Sequence, residues 1–279
     1  MKRILVPTDF SATAERAFRF AADIASKTGG TITLDHVYTP EEIPFADTEE
    51  KRKEYNKQLE ATQLKRLQRL KKKVMADGKE VIVTTIVGRS PIVGDILKYT
   101  KHNQIDLIVM GTQGASGLKK IIVGSVATHI IEKSDIPVLL VPEKFEWKDP
   151  EQIVFATDYR KTDTKALSLT IAMAKIYHAA VTIVHLLNPY SQLIDKPQPD
   201  FNDYAYALQR TFNDYDLKFK ELRTTTITDT MENLQKEIPF DMLVMVRRKK
   251  FFLEKFFTKN FTRNMACITT HPLLVVPEE

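Results

Sequence analysis

Short apolar blocks recur along the chain, separated by longer stretches in which apolar positions return every three or four residues. Residues 3–7 are too few for a helix and rich in β-formers, which predicts a buried strand. Ser11 stands where it caps a helix over 12–27, with Ala14, Ala17, Phe18, Ala21 and Ala25 on one face and Gly29-Gly30 at its end. Residues 31–37 alternate as a second strand. A long charged helix follows over 49–75, turning Leu59, Leu67, Leu70 and Val74 inward. Residues 80–87 read as a third strand, and Ser90-Pro91 opens a helix with Pro at its first position. Residues 106–110 form a fourth strand, 111–124 a glycine-rich loop, a helix begins at Ser125, and 137–141 form a fifth strand. Strands separated by helices of this length predict an α/β fold: a parallel sheet with helices on both faces.

The pattern then repeats. Ile4-Leu5-Val6-Pro7-Thr8-Asp9-Phe10 lies over Ile153-Val154-Phe155-Ala156-Thr157-Asp158-Tyr159, and Thr33-Leu34-Asp35-His36-Val37 over Thr182-Ile183-Val184-His185-Leu186 at the same offset. Farther on the offset shortens, so that Asp106-Leu107-Ile108-Val109-Met110 matches Asp241-Met242-Leu243-Val244-Met245 and Ile136–Pro142 matches His271–Pro277. The expected organisation is two copies of one domain, residues 1–144 and 151–279, joined near Trp147 and Pro150.

In open parallel sheets, ligands bind beyond the carboxyl ends of strands where the winding reverses. Two segments compete for that place: Thr8-Asp9 after the first strand, and the loop after the fourth. The loop reads Gly111-Thr112-Gln113-Gly114, then nine residues, then Gly124-Ser125. Successive amides in such a turn form an anion-binding nest, and the helix that begins at Ser125 points its free N–H groups at the same space. Lys119 and Lys120 either add charge to it or are ordinary solvated residues. The spacing is neither the P-loop nor Gly-x-Gly-x-x-Gly, so P-loop phosphoryl-transfer machinery does not follow.

Taken together, the Pro-Thr-Asp end of the first strand, His36-Val37 ending the second, Gly88 with Pro91, and Gly-x2-Gly-x9-Gly-Ser resemble the universal stress protein family across the whole first copy. The resemblance implies two Rossmann-like domains of the adenine nucleotide alpha hydrolase type, each a five-stranded parallel sheet. It implies ATP as ligand, with Mg as a divalent ion beside the phosphates, and a binding set of Pro7, Thr8, Asp9, Val37, Met110, Gly111, Gly114, Gly124, Ser125 and Val126. Asp9 and Val37 belong at the adenine and ribose side, Met110 and Gly111 on the pocket wall, and Gly114, Gly124, Ser125 and Val126 at ribose or phosphates. Asp9 also reads as a helix cap or turn former, and His36 as a residue bonded locally. The family implies dimers, here of two chains or of the two copies as a built-in pair.

The second copy departs from this pattern. All nine glycines precede residue 125. Gly111, Gly114, Gly124 and Ser125 become Val246, Lys249, Lys259 and Asn260, which predicts a copy that binds ATP weakly or not at all. Arg247-Arg248-Lys249-Lys250 followed by Phe251, Phe252, Phe256, Phe257 and Phe261 reads as an amphipathic plug or a subunit contact, with a docking patch for an acidic partner or a membrane surface as the alternative.

Charge adds little: residues 1–144 hold 23 Lys and Arg against 18 Asp and Glu, an excess that fits a small anionic ligand and does not call for nucleic acid. No apolar stretch reaches the length of a membrane span and no secretory leader opens the chain, so a cytoplasmic protein without membrane contact is expected. A single cysteine, Cys267, excludes an internal disulfide framework, and the six histidines do not cluster as metal ligands. The reading is a stress-response protein that holds ATP as a regulatory ligand; a slow ATPase or self-phosphorylating enzyme acting through Ser125 or Thr112, and a nucleotide-free scaffold, stand as alternatives.

Overall fold

The computed structural model describes residues 1–40, 48–76, 78–112, 124–143, 145–157, 163–187, 200–223, 233–247 and 271–278. The chain divides into two compact units, with the boundary after Glu143. The first runs β1 (Arg3–Pro7), α1 (Ala12–Thr28), β2 (Thr31–Tyr38), α2 (Glu49–Met75), β3 (Ile82–Arg89), α3 (Ile92–His102), β4 (Leu107–Gly111), α4 (Ser125–Lys133) and β5 (Val138–Val141). Its strands are parallel in the order β3-β2-β1-β4-β5. The winding therefore reverses between β1 and β4, and the carboxyl ends of these two strands flank the crevice.

The central strands β1 and β4 are covered on both faces. Ile4, Leu5, Val6, Leu107, Ile108 and Val109 are fully buried, and each such side chain contributes about 1.5–3 kcal/mol on leaving water. Helix α1 packs on β1, β4 and β5, with α2 beside it, while α3 lies on β2 and β3 and touches α4. Ser11 caps α1 by accepting from the Ala14 amide, and Gly29, in the left-handed region at φ 62°, ends it. The whole predicted face of α1 is buried, with Phe18 and Phe20 among the largest enclosed side chains.

Two local expectations are corrected. Pro91 is the N-cap of α3, in extended conformation, and Ile92 is the first helical residue. On α2, Gln63, Leu67, Leu70 and Val74 are buried, whereas Leu59 is only half-buried, so the inward stripe starts a turn later than the leucine pattern indicates.

The second unit runs β6 (Gln152–Thr157), α5 (Asp163–Tyr177), β7 (Ala180–Leu187), α6 (Phe201–Thr211), β8 (Leu217–Arg223), β9 (Met242–Arg247) and β10 (Leu273–Pro277). Its parallel strand order, β8-β7-β6-β9-β10, is that of the first. One device recurs in both. The Asp106 carboxylate accepts from the amides of Lys2 and Arg3 at 2.6 and 2.9 Å, pinning the start of β1. Asp241 does the same for Glu151 and Gln152 at 2.8 and 2.9 Å. Burial opposes the charge of Asp241, but Lys148 and these two amides outweigh it and hold the carboxyl below its ordinary range.

Candidate functional site

At the carboxyl ends of β1, β2 and β4 lies a cavity of about 340 Å³. Nine of the ten residues singled out from the sequence line it: Pro7, Thr8, Asp9, Val37, Met110, Gly111, Gly124, Ser125 and Val126. The tenth, Gly114, lies outside the described residues, as do Lys119 and Lys120. The fold brings these nine together from four separate segments.

The β1 end is built as a tight turn. Thr8 Oγ1 accepts from the Phe10 amide at 3.0 Å, and Asp9 Oδ1 accepts from the Ser11 amide at 3.0 Å. Asp9 is thus a turn former whose carboxylate stays at the exposed rim of the cavity. Phe10 takes a positive φ of 65°. Its ring is held by the Arg66 guanidinium 3.9 Å above it and by His36 at 4.5 Å. His36 donates from Nδ1 to the Thr8 carbonyl at 2.7 Å. Burial pushes its pKa down, which keeps the ring neutral and local in its role.

At the β4 end, Gly111 is required by packing. A Cβ there would come 2.7 Å from Thr13 Cγ2 and 3.0 Å from the Thr13 carbonyl carbon. Gly111→Ala is expected to cost about 1–3 kcal/mol by forcing α1 off the strand. Urea unfolding checks this, and unchanged stability would show that α1 yields freely. The Gly124 amide donates to the Thr112 carbonyl at 2.6 Å, drawing the start of α4 against the end of β4. Gly124 sits at φ −60°, ψ 151°, open to any residue, and gives α4 no side-chain cap. The first turn of α4, Ser125 to Ala127, therefore offers its amides and positive dipole end to the cavity.

Several lining residues stand outside the expected binding set: Ala14, Asp35, His36, Ile92, Ile96, Thr112 and Ala127. Ile92 and Ile96 of α3 make the wall next to Val37 apolar. Asp35 is fully buried, and neither carboxylate oxygen has a hydrogen-bond partner. The described lining contains no lysine or arginine.

A model of the universal stress protein family matches residues 1–142. The chain belongs to that family. Universal stress protein MJ0577 of Methanocaldococcus jannaschii is 31% identical over 160 residues, which are 51% of this chain and 96% of the relative. Universal stress protein YxiE of Bacillus subtilis is 29% identical over 154 residues, 50% of this chain and 97% of its own. Each of these relatives is thus about half as long as the chain. A solved universal stress protein from Archaeoglobus fulgidus spans 99% of this chain and 96% of its own length at a TM-score of 0.67 and 16% identity, a likeness of fold.

The second unit carries the same universal stress fold with different chemistry at the same places. Val246, buried, stands where the first unit has Gly111. Ala14 corresponds to Asp163, a fully buried residue that accepts from Thr157 Oγ1 at 2.6 Å. The Tyr204 hydroxyl of α6 reaches the same Thr157 oxygen at 2.9 Å. A position left small beside the cavity of the first unit is thus taken up by a bonded polar network. The segment from Arg248 to Asn260, with the remaining substitutions of the glycine motif, lies outside the described residues, as do Asp158, Phe261 and Cys267.

Proposed function

We propose that the N-terminal unit, residues 1–144, is a nucleotide-binding regulatory domain that takes ATP. The second, residues 151–279, is a degenerate copy that serves structure or partner contacts. One observation carries this reading: residues from four segments, expected from the family resemblance, surround one cavity at the winding reversal, with an uncapped helix N-terminus opening onto it. Its size lies in the range of small-ligand sites, about 300–1,000 Å³. The phosphates belong at Gly124, Ser125 and Val126, where backbone amides face the cavity, with Gly111 on its wall and the base at Val37 and the apolar wall of α3. Among the described residues no group of three or more His, Cys, Asp or Glu gathers as a metal site; Mg beside the phosphates is part of the proposal through the family resemblance. Among them also, no helix is long and apolar enough to cross a membrane, and we place the protein in the cytoplasm, acting as a dimer or as a pair of its own two domains.

ATP here acts by differential affinity for two states of the protein or its partner complex. The glycine spacing is not that of the P-loop, which supports binding over turnover. The test is calorimetry with the full chain and ATP, ADP and AMP, together with release of labelled phosphate. Binding at one site per chain without turnover is the expected result. The absence of heat for every adenine nucleotide would overturn the assignment.

A further inference from the structure

The nucleotide reading leaves one feature of the cavity without a role. Asp35 lies on β2, in register with Pro7 and Ile86; it belongs to the cavity lining, has no exposed surface, and both its oxygens are unpartnered. A buried polar group without a partner is costly, and it is retained where a ligand completes it. The repeat supplies an internal comparison. In the second unit Ala156 pairs with Val184 as Pro7 pairs with Asp35, and Val184 is a fully buried hydrophobe, the residue an interior strand ordinarily takes.

The surroundings set the chemistry. Helix α3 brings Asp95 toward the same face of the sheet, and Gly88 of β3 makes room for it: a Cβ there would lie 2.0 Å from Asp95 Oδ2. The neighbours Val37, Ile92 and Ile96 are apolar. The other titratable groups of the lining are Asp9 on the rim and His36, turned to the Thr8 carbonyl; the first turn of α4 carries no acid, and Ile86 and Gly88 of β3 carry no charge. Desolvation first, and the Asp95 charge second, raise the Asp35 carboxyl to about 7.

We propose that Asp35 reads the nucleotide base, its protonated carboxyl donating to a ring nitrogen and accepting from the adjacent amino group of adenine. This rests on the nucleotide reading above. A protonated acid offers one donor beside one acceptor, the complement of adenine's amino-plus-ring-nitrogen edge. Once ionised it only accepts. That form suits the two neighbouring donors of guanine and sets a negative charge against adenine's ring nitrogen. Adenine affinity therefore falls as pH rises through neutrality, and the preference for ATP over GTP falls with it.

The experiment measures ATP and GTP affinities of the full chain at pH 6 and pH 8 for wild type, Asp35→Asn and Asp35→Leu. Asparagine keeps a donor beside an acceptor and does not titrate. Asp35→Asn should hold ATP within about threefold of wild type at pH 6, and wild type should lose about tenfold more than this variant between pH 6 and pH 8. Asp35→Leu should lose about tenfold at pH 6. The triphosphate and every other side chain are the same in all three proteins, so the difference between profiles isolates position 35. Wild-type affinity in Asp35→Leu at pH 6, or one shared pH profile for wild type and Asp35→Asn, would overturn the proposal while leaving nucleotide binding intact. A wild type that binds neither nucleotide at either pH would remove both readings.

Discussion

Asp35→Leu will make the ligand-free protein more stable, and more so at pH 8 than at pH 5. The folded carboxyl titrates at about 7 and the free one at 3.8, so the unfolded chain gives up this proton first. Stability from the neutral buried form is complete below about pH 4 and is lost progressively as pH rises toward 7. Across that window the shift amounts to up to roughly 4 kcal/mol for a carboxyl with no exposed surface. Leucine removes the titration and adds apolar contact with Ile96 and its neighbours. Urea unfolding of both proteins at pH 5, 6, 7 and 8 reads the effect as a gap that widens with pH and levels off above neutrality. A gap of the same size at every pH would mean that the carboxyl is hydrated or already ionised, and the account of β2 would fall. A variant that gains stability while losing affinity for ATP is what a residue kept for binding should give.

The strands were legible because each is a short apolar block bounded by turn residues, and β1, β2, β4 and β5 fall within about a residue of their expected ends. β3 is displaced toward its carboxyl end, to Ile82–Arg89. Gly88 and Arg89 look like a turn, yet they pair with Val37 and Tyr38 because β2 is long enough to hold them in register. Strand order is a matter of long-range pairing and leaves no local trace. The glycine spacing located the loop, but the reason for Gly111 did not follow from it, because the group that excludes a Cβ is Thr13, on a helix far back in the chain. Asp35 was hidden by the alternation itself. Thr31, Thr33 and Asp35 share a face that reads as polar and outward, and only the placement of α3 over that face buries it.

The phosphate end of the cavity can be separated from its base end with Ser125→Asp. Ser125 is the first residue of α4, exposed, on a helix with no side-chain cap and no acid in its first turn. A carboxylate there meets the positive end of the dipole and should leave the protein as stable as wild type or more stable by about 0.3–1 kcal/mol. The same charge confronts a triphosphate. Two unit charges about 4 Å apart at an effective dielectric of about 20 repel by about 4 kcal/mol, and exposure and salt reduce this to some 3 kcal/mol, or about 100-fold in affinity. Adenosine, which has no phosphates, should lose only a few-fold. The ratio of ATP to adenosine affinity in Ser125→Asp, measured beside its melting temperature, therefore reports on orientation as well as occupancy. If ATP and adenosine weaken equally, the phosphates do not lie at α4. If ATP affinity is unchanged while the helix is stabilised, the amides of Ser125 and Val126 face solvent and the triphosphate must be held by other groups.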